Sequence, residues 1–589
     1  MPVFVKMNGD AAGRRVYIKR IRPSKSMFLT QGLTVTAPDG SKTLLAGVDA
    51  SFPRVGLHAI VGPSGCGKTT LAKALLGLET STGRVEFEGR AVREPGDLTG
   101  KVGFAPQFSI ANPKLTVEES LSYALALLVR PAEARQPRMG WILRTVGLEG
   151  ARNTRVENLS GGQLRRLGLG LELVNDPAWL VCDEVTSGLD PRSEDQILDV
   201  LRGLAQERGK SFLCIIHNLS KLPIFDRITV LGQGELLFQG TYSEFLIHFG
   251  ITDPLHLYER LNAEPITHWQ SISSCRSLLA GDFETPEPDP SPASRLLQGN
   301  LSQKPGMASQ TWTLLHRRWR LFWRDRGNLL AMAGITFGFP MLVAIFALGG
   351  LPQISGMALD STAGFLESLQ QSMRHQREAT HAANLVVGLV LFQVILLGLT
   401  GTNNGAREIA AERLIYEKER MNGLRFTAYA FSKVIFFAGL AGLQGLWMAI
   451  FVKLVCRFPG HWSDQLMVLS LSCVAMTLVS LGISAVSRTA ERASFSSVFL
   501  VGLQLPLSGV VLALPDYLLW VCRPFVNAFW AWAGYFNAMT NTRIYDAFRL
   551  TNERWLPSSD VSLVVLSLQA LAGIGMILYG CRRLRWGAA

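Results

Sequence analysis

The sequence predicts two domains of different class, an α/β phosphate-loop domain followed by an all-α, six-helix transmembrane domain. Three observations carry that expectation. A complete phosphate-binding loop at 62–69 lies between an apolar strand and a helical run. Short β-branched runs alternate with helical segments through the first half, the rhythm of an α/β domain. Six uncharged stretches occupy 329–350, 382–404, 434–452, 465–487, 494–515 and 561–580, each near the roughly 20 residues a helix needs to cross a bilayer.

Composition agrees. The chain has 589 residues, with 48% hydrophobic and 18% charged, so it is too apolar to be dominated by disorder. Its length exceeds that of a single soluble core. Eight cysteines, without CxxC pairs or metal-ligand spacing, exclude a disulfide scaffold and give no zinc signature. The start, MPVFVKMNGDAAGRR, lacks an apolar core of signal-peptide length, which predicts a cytosolic N-terminus.

The strand candidates are 33–36, 58–61, 102–105, 179–182, 212–216 and 228–231, giving a first domain over 1–270. A linker over 271–310 follows, rich in Pro, Ser and acidic residues from 281 onward (ETPEPDPSPAS). The membrane domain then covers 311–589. Its first segment, 312–326, mixes aromatics and arginines and is expected to lie along the inner membrane surface.

Charge fixes the orientation. From residue 311 onward there are 24 Lys+Arg and 14 Asp+Glu, so this half carries most of the net +12. Arg317, Arg318, Arg320, Arg324 and Arg326 precede the first run; Arg488 and Arg492 separate the fourth from the fifth; Arg582, Arg583 and Arg585 follow the sixth. With both termini cytoplasmic, all three clusters fall on the inner side, as the positive-inside rule demands. The basic excess then needs no nucleic acid to explain it. The stretch 517–536 is broken by Arg523-Pro524, and its Trp520, Trp530, Trp532 and Tyr535 suit an interfacial or re-entrant segment.

The chemistry sits in the first half. Gly62-Pro63-Ser64-Gly65-Cys66-Gly67-Lys68-Thr69 is a GxxxxGK[ST] loop opening onto a helix that begins near Thr70. Its glycines let backbone N–H groups turn toward phosphates at a helix N-terminus. Lys68 is placed for the β and γ phosphates and Thr69 for Mg²⁺. Cys66 reads as a small loop residue. An apolar strand ending in Asp183-Glu184 supplies one carboxylate for the metal and a second, Glu184, as general base for the attacking water. Ser160-Gly161-Gly162-Gln163 opens a further helical run and makes a second anion-binding end. A second cradle implies a second nucleotide.

LSGGQ between such a loop and such a strand resembles the ABC transporter ATPases, in which two copies sandwich two ATP molecules. The resemblance implies ATP and Mg²⁺ as ligands. It places Gln107, in FAPQ, as the glutamine linking the γ-phosphate and Mg²⁺ to the membrane part. It places Asp190, in Ser187-Gly188-Leu189-Asp190, in the D-loop, and His217 as the switch histidine at the γ-phosphate. Two departures stand out. Val185 occupies the position where the family has proline, and no Tyr or Phe follows 33–36 to stack on adenine.

The order of the domains resembles the G subfamily of half-transporters, the white and multidrug-resistance type. So does ELVNDPAWLVCDEVTSGLDPRS, and so does the 407–429 stretch AREIAAERLIYEKERMNGLRFTAY, implying a cytoplasmic helix that rests on the ATPase. Within it Glu412-Arg413, Tyr416 and Glu419-Arg420 fall on one helical face, able to form ion pairs or to dock. The long first outer loop, 351–380, departs from many relatives; its 365–377 reads as amphipathic and could cap the exit.

A half-transporter implies a second chain, with a homodimer the simpler case and a heterodimer open. Charge-free spans favour a hydrophobic or amphipathic small molecule, or a lipid, over an ion. Asn384, Gln393, Gln504 and Ser508 are candidate polar groups along its path, each also readable as helix-packing glue. The leading expectation is ATP-driven export from a multi-pass protein of the cell (inner) membrane. A lipid translocase is the nearest alternative. A membrane-anchored regulatory ATPase that moves no cargo is the alternative of another class. A nucleic-acid machine conflicts with six spans.

Overall fold

A computed structural model describes residues 26–37, 39–107, 110–265, 269, 305–347, 365–512, 514–551 and 556–583. The first described elements are β1 (Ser26–Thr36), β2 (Thr43–Val48), β3 (Ser51–Pro53), β4 (Gly56–Val61), α1 (Lys68–Leu75), β5 (Ser81–Phe87), β6 (Arg90–Ala91) and β7 (Val102–Ala105). It continues through α2 (Val117–Leu128), α3 (Arg135–Thr145), α4 (Gly161–Glu172), β8 (Trp179–Asp183), α5 (Pro191–Arg208), β9 (Ser211–Ile215), β10 (Arg227–Gly232), β11 (Glu235–Gly240), α6 (Tyr242–Phe249) and α7 (Leu257–Ala263). All six expected strands are found.

Packing divides the chain into two units that do not follow chain order. One holds Met1–Leu98, Ala178–Ser187 and Leu201–Ser291; the other holds Thr99–Pro177, Gly188–Val200 and Pro292–Ala589. Part of the expected first domain therefore packs with the membrane half.

In the first unit, β2-β1-β5-β6 form an antiparallel sheet, with β3 also paired to β1. A second sheet runs β11-β10-β4-β9-β8; β10, β4, β9 and β8 are parallel and β11 is antiparallel to β10. Every residue of β4, β8 and β9 is buried, which is why these strands read as unbroken apolar runs. The aromatic core collects Phe28, Phe52, His58 and Trp179: Phe28 meets the Trp179 ring edge-on at 4.9 Å, and His58 stacks on it at 5.9 Å. Because β4, β9 and β8 are adjacent and parallel, the loops after their carboxyl ends emerge at one edge.

The second unit holds α2, α3 and α4 together with the membrane half. That half comprises α8 (Met307–Arg324), α9 (Arg326–Ala347), α10 (Phe365–Gly405), α11 (Glu408–Ala411), α12 (Arg413–Met421), α13 (Phe426–Cys456), α14 (Trp462–Val486), α15 (Ala490–Leu507), α16 (Asp516–Cys522), α17 (Asn527–Asn537), α18 (Arg543–Thr551) and α19 (Ser559–Arg582). Small residues bring α14 and α19 together. A Cβ on Gly573 would lie 2.6 Å from the Leu478 carbonyl carbon, and one on Gly580 would lie 2.8 Å from Ala485 Cβ. Backbones in apolar surroundings gain contact area by this close approach.

Several expectations are revised. Among the described residues five helical stretches, not six, are long and apolar enough to cross a membrane: Arg326–Ala347, Ser372–Ala411, Phe426–Cys456, Trp462–Val486 and Ser559–Arg582. The expected fifth span, 494–515, falls on α15, an 18-residue helix that starts with Glu491 and Arg492 and stops just past Pro506. The ladder continues past Pro506, with Ser508 N–H donating to Gln504 O at 3.1 Å, and stops where Gly509 takes a φ of 68°, a left-handed end reached before the apolar run is over. The surface helix begins at Met307, inside the expected linker, and ends at Arg324 with Asp325 as its cap. The rest of the linker, 271–304, lies outside the described residues, as do 351–364 of the outer loop. The segment 365–377 is no separate cap: it is the start of the 41-residue α10.

The 517–536 stretch is two short helices, α16 and α17, separated by Arg523-Pro524-Phe525. Trp530, Trp532 and Tyr535 are buried in the helical core instead of facing an interface, and only Trp520 is exposed. Of the polar path candidates, Gln504 accepts from Ala528 N–H at 3.0 Å and Ser508 donates to Leu505 O at 2.7 Å. Gln393 is fully buried within the protomer and Asn384 is exposed. Gln504 and Ser508 thus act in helix packing.

Candidate functional site

The phosphate loop leaves the buried strand β4 at Gly62. Gly65 and Gly67 hold φ of 78° and 101°, where glycine is unstrained and other residues are not. A side chain at Gly67 would also strike Leu45 Cδ2 at 2.7 Å, so the loop lies tight against the sheet. Lys68, 6% exposed, folds back so that Nζ donates to Gly62 O at 2.8 Å and Pro63 O at 3.0 Å. Tyr258 braces the same carbonyl of Gly62 from α7 with its hydroxyl, at 3.3 Å. Cys66 is buried, and burial pushes its thiol up, which suits a packing residue and not a redox group.

The carboxylates arrive from β8. Thr69 Oγ1 donates to Asp183 Oδ1 at 3.1 Å. Burial raises the Asp183 carboxyl above its ordinary range; Glu184 adds to this, while the Thr69 hydroxyl, Lys73 and Lys68 oppose it. A divalent cation beside Asp183 would relieve that penalty. A hydroxyl and a carboxylate oxygen in contact fit Mg²⁺, which takes few protein oxygens and fills its shell with phosphates and water.

Glu184 sits at φ 51°, in the left-handed region, a strained place for a residue with a Cβ. Its Oε1 lies 2.6 Å from His217 Nε2, which reaches it from the loop after β9. A proline at 185 would restrict the conformation of residue 184; Val185 removes that restriction. Lys68, Thr69, Asp183, Glu184 and His217 are thus gathered in one unit, along one edge of the parallel sheet.

The other expected residues belong to the second unit. Gln107 follows β7 and is exposed. Ser160 caps α4: its side chain accepts from Gln163 N–H while the Gln163 side chain accepts from Ser160 N–H, leaving the N–H groups of Gly161 and Gly162 at the helix entrance. Asp190 caps α5 by accepting from Ser193 N–H at 3.0 Å.

The same unit contains a dense charged joint that the motifs did not announce. Arg324 of α8 grips Glu119 of α2 with both guanidinium arms, Nη2 reaching Oε1 at 2.8 Å, and Arg320 adds a contact at 3.0 Å. Burial alone would raise Glu119, but these arginines hold it below the usual carboxylate range. Thr116 and Glu119 form a capping box at the start of α2, so one carboxylate serves both the cap and the ion pair. Gln310 Nε2 donates to Leu127 O at 2.9 Å, and Tyr123 meets His316 at 3.1 Å. Behind them Arg317 pairs with Glu419, Arg318 with Glu408 at 2.9 Å, and Lys433 with Glu408 at 2.7 Å and Glu412. Burial would raise Glu412, but Lys433, Arg318 and Arg317 outweigh it and hold the carboxyl well below the usual carboxylate range. A small cleft lies between α2 and α12, lined by Tyr123, Leu127, Arg317, Ile415 and Lys418 among others. The docking expected of the 407–429 stretch is therefore seen, and Tyr416 adds a stack on Tyr429 at 4.2 Å. The only sequence signal for the α8 half of this joint is the arginine run, which also reads as an inside-facing flank.

Comparison with known proteins decides the family. Residues 45–187 match the model described as ABC transporter, and residues 309–542 match that of the ABC-2 type transporter. The chain belongs to the ABC transporter family. It carries the ATPase before an ABC-2 membrane domain, the organisation of a half-transporter. The ABC transporter ATP-binding/permease protein Rv1747 of Mycobacterium tuberculosis is 29% identical over 493 residues, 81% of this chain and 53% of its own length. The methionine import ATP-binding protein MetN of Caulobacter vibrioides is 34% identical over 230 residues, 38% of this chain and 69% of its own. The ABC transporter G family member 26 of Arabidopsis thaliana is 32% identical over 222 residues, 36% of this chain and 32% of its own. The chain thus spans about half of the mycobacterial relative and about a third of the plant one. A solved structure, cbiO1 from Clostridium perfringens, aligns with 42% of this chain at 22% identity and a TM-score of 0.36.

Proposed function

We propose that the chain hydrolyses ATP to export a hydrophobic or amphipathic small molecule or lipid, working as a homodimer of half-transporters. Its place is the cell (inner) membrane, with both termini cytoplasmic and 311–589 as the membrane domain. The observation that carries this reading is the pairing of Thr69–Asp183 and Glu184–His217 along one sheet edge, in a chain whose other half supplies membrane-length apolar helices. Gly62 to Thr70 would cradle the phosphates of one ATP. Thr69, Asp183 and Gln107 would hold Mg²⁺, which supplies charge neutralisation on the phosphates. Glu184 would take the proton of the attacking water, and His217 would hold the Glu184 carboxylate until ATP draws the histidine toward the γ-phosphate.

Ser160, Gly161, Gly162 and Gln163 at the start of α4, with Asp190, would face the ATP held by the second copy, so that two identical chains make two complete sites. Closure on ATP would move α2 and α4, and the paired charges on α8 and α12 would pass that movement to the spans. The charge-poor spans support an apolar cargo, since a buried ion would need partners within the bundle.

Glu184→Gln tests the chemistry. It keeps the shape and the contact to His217 but cannot accept the proton, so turnover should fall by about 10²-fold or more while ATP-dependent association of chains persists. Undiminished hydrolysis would remove Glu184 from the mechanism. Transport of labelled lipids against dye-like amphiphiles in vesicles distinguishes the cargo classes, and hydrolysis without transport of either would favour a regulatory ATPase.

A further inference from the structure

We propose that Glu172 is a positioning residue that ties the nucleotide-facing helix α4 and the strand before Gln107 to the membrane half through Lys418. The inference rests on the ATP-driven reading above and deepens it. Glu172 is the last residue of α4, the helix that Ser160 caps at its other end. Its side chain is 1% exposed and its two oxygens serve two different elements. Oε2 accepts from Phe104 N–H in β7 at 3.2 Å, three residues before Gln107. Oε1 pairs with Lys418 Nζ of α12 at 3.0 Å, and the lysine side chain is 8% exposed.

A second contact runs beside the first. Asn175, three residues past Glu172, donates from Nδ2 to Asn422 O at 2.6 Å, four residues past Lys418. Two contacts about one turn apart on each side, three residues on one and four on the other, fix the rotation of α12 against the end of α4, which one contact alone could not do. Arg138 anchors this end from behind, donating to Val174 O at 2.9 Å and Leu173 O at 3.1 Å. The placement runs against local preference, because a carboxylate at a helix C-terminus opposes the helix dipole. Nor is a buried ion pair a good source of stability, since apolar pairs of the same shape often do as well. What it provides is register. A tilt of α4 on nucleotide binding must carry α12 with it, and a shift of β7 is felt by the same carboxylate.

Full-length chain in lipid nanodiscs tests this with Lys418→Met and Lys418→Arg, each also placed in the Glu184→Gln background to hold ATP. Amide hydrogen exchange of α12 is read with and without Mg-ATP, and steady-state hydrolysis is measured for the forms that retain Glu184. Lys418→Met should leave KM and kcat for ATP within about twofold of wild type while the ATP-induced exchange change in α12 falls to about a third or less. Lys418→Arg should restore that change. Glu172→Gln, which keeps an acceptor for Phe104 N–H, should reproduce the Lys418→Met pattern. A full ATP-induced change in Lys418→Met overturns the inference alone, as does a parallel loss of hydrolysis and of exchange protection throughout α4. Absence of any ATP-induced change in α12 of the Lys418-intact chain would instead contradict the proposed function, and the inference with it.

Discussion

The nucleotide cradle and the charged joint are both assembled from ionisable side chains, yet they are built in opposite ways. In the cradle, each reactive group is held by one or two bonds that a ligand can replace: Lys68 rests on two backbone carbonyls, and Glu184 on a histidine that is 47% exposed. In the joint, the charges are paired with one another and largely enclosed: Lys433 is 5% exposed between Glu408 and Glu412, and Arg317 is 12% exposed against Glu419. A site that must admit and release a triphosphate needs contacts that can be exchanged. A transmitting joint must not open, because any slack there would absorb the movement. The difference teaches where to look for loss of chemistry and where to look for loss of coupling.

The comparison can be broken from either side. The largest effect is expected at Lys68→Met, which leaves the loop in place but removes the ammonium expected at the β and γ phosphates. Hydrolysis should drop by about 10²–10³-fold with unchanged thermal stability, and a rate within tenfold of wild type would mean the cradle works without it. At the joint the balance should invert. Lys433→Met leaves Glu412 without its paired ammonium and Glu408 with Arg318 alone, so it should cost about 3 kcal/mol of stability, read as a lowered Tm. The intact cradle should still bind ATP in the fraction that folds.

Arg324→Ala is milder, since Arg320 remains near Glu119 and the site is partly open. A loss of about 1 kcal/mol is expected, with transport falling further than hydrolysis. Equal losses in both would place the effect in folding and not in transmission.

The effect that is smallest at neutral pH lies in the sheet beneath the cradle and grows only as the solution is acidified. Burial beside Trp179, with Arg227 adding to it, lowers His58 to about 3. Between that value and the ordinary pKa near 6.5, the unfolded chain binds a proton that the folded chain refuses. Stability contributed by the neutral ring is therefore full above about pH 6.5 and is lost as pH falls toward 3. His58→Phe should flatten the acid side of the stability curve by about 1.4 kcal/mol per pH unit, and an unchanged slope would show the ring to be solvated.

Much of this was legible in the sequence, for reasons that differ by region. Lys68 and Asp183 could be expected because a phosphate loop needs glycines at fixed offsets and its carboxylates end a buried strand, so chemistry dictates local pattern; His217 followed only from the resemblance to the ABC ATPases, since a lone histidine at a strand end is usually structural. The helices of the membrane half announced themselves by length and hydropathy, but their ends did not. The left-handed Gly509 ended the fifth run early, and α10 extended well beyond its apolar stretch because helix propagation does not stop where hydropathy does. Trp532 and Tyr535 suited an interfacial or a re-entrant segment, and only the interfacial half of that expectation fails, because composition cannot tell a ring facing headgroups from one enclosed by neighbouring helices. Glu172, Glu119 and Lys418 were invisible for a further reason. Each lies in a helical run where a charged residue is ordinary, and only tertiary packing reveals that its partner comes from more than 200 residues away.

The proposed mechanism stands or falls on whether two chains share their ATP sites and move together. The most direct measurement mixes wild-type chains with Glu184→Gln chains in increasing proportion at fixed total protein and follows the total hydrolysis rate in nanodiscs. Sites that act as a coupled pair predict activity falling with the square of the wild-type fraction, so that an equal mixture retains about a quarter of the full rate. A strictly linear fall to one half would show each chain turning over on its own and would contradict the account.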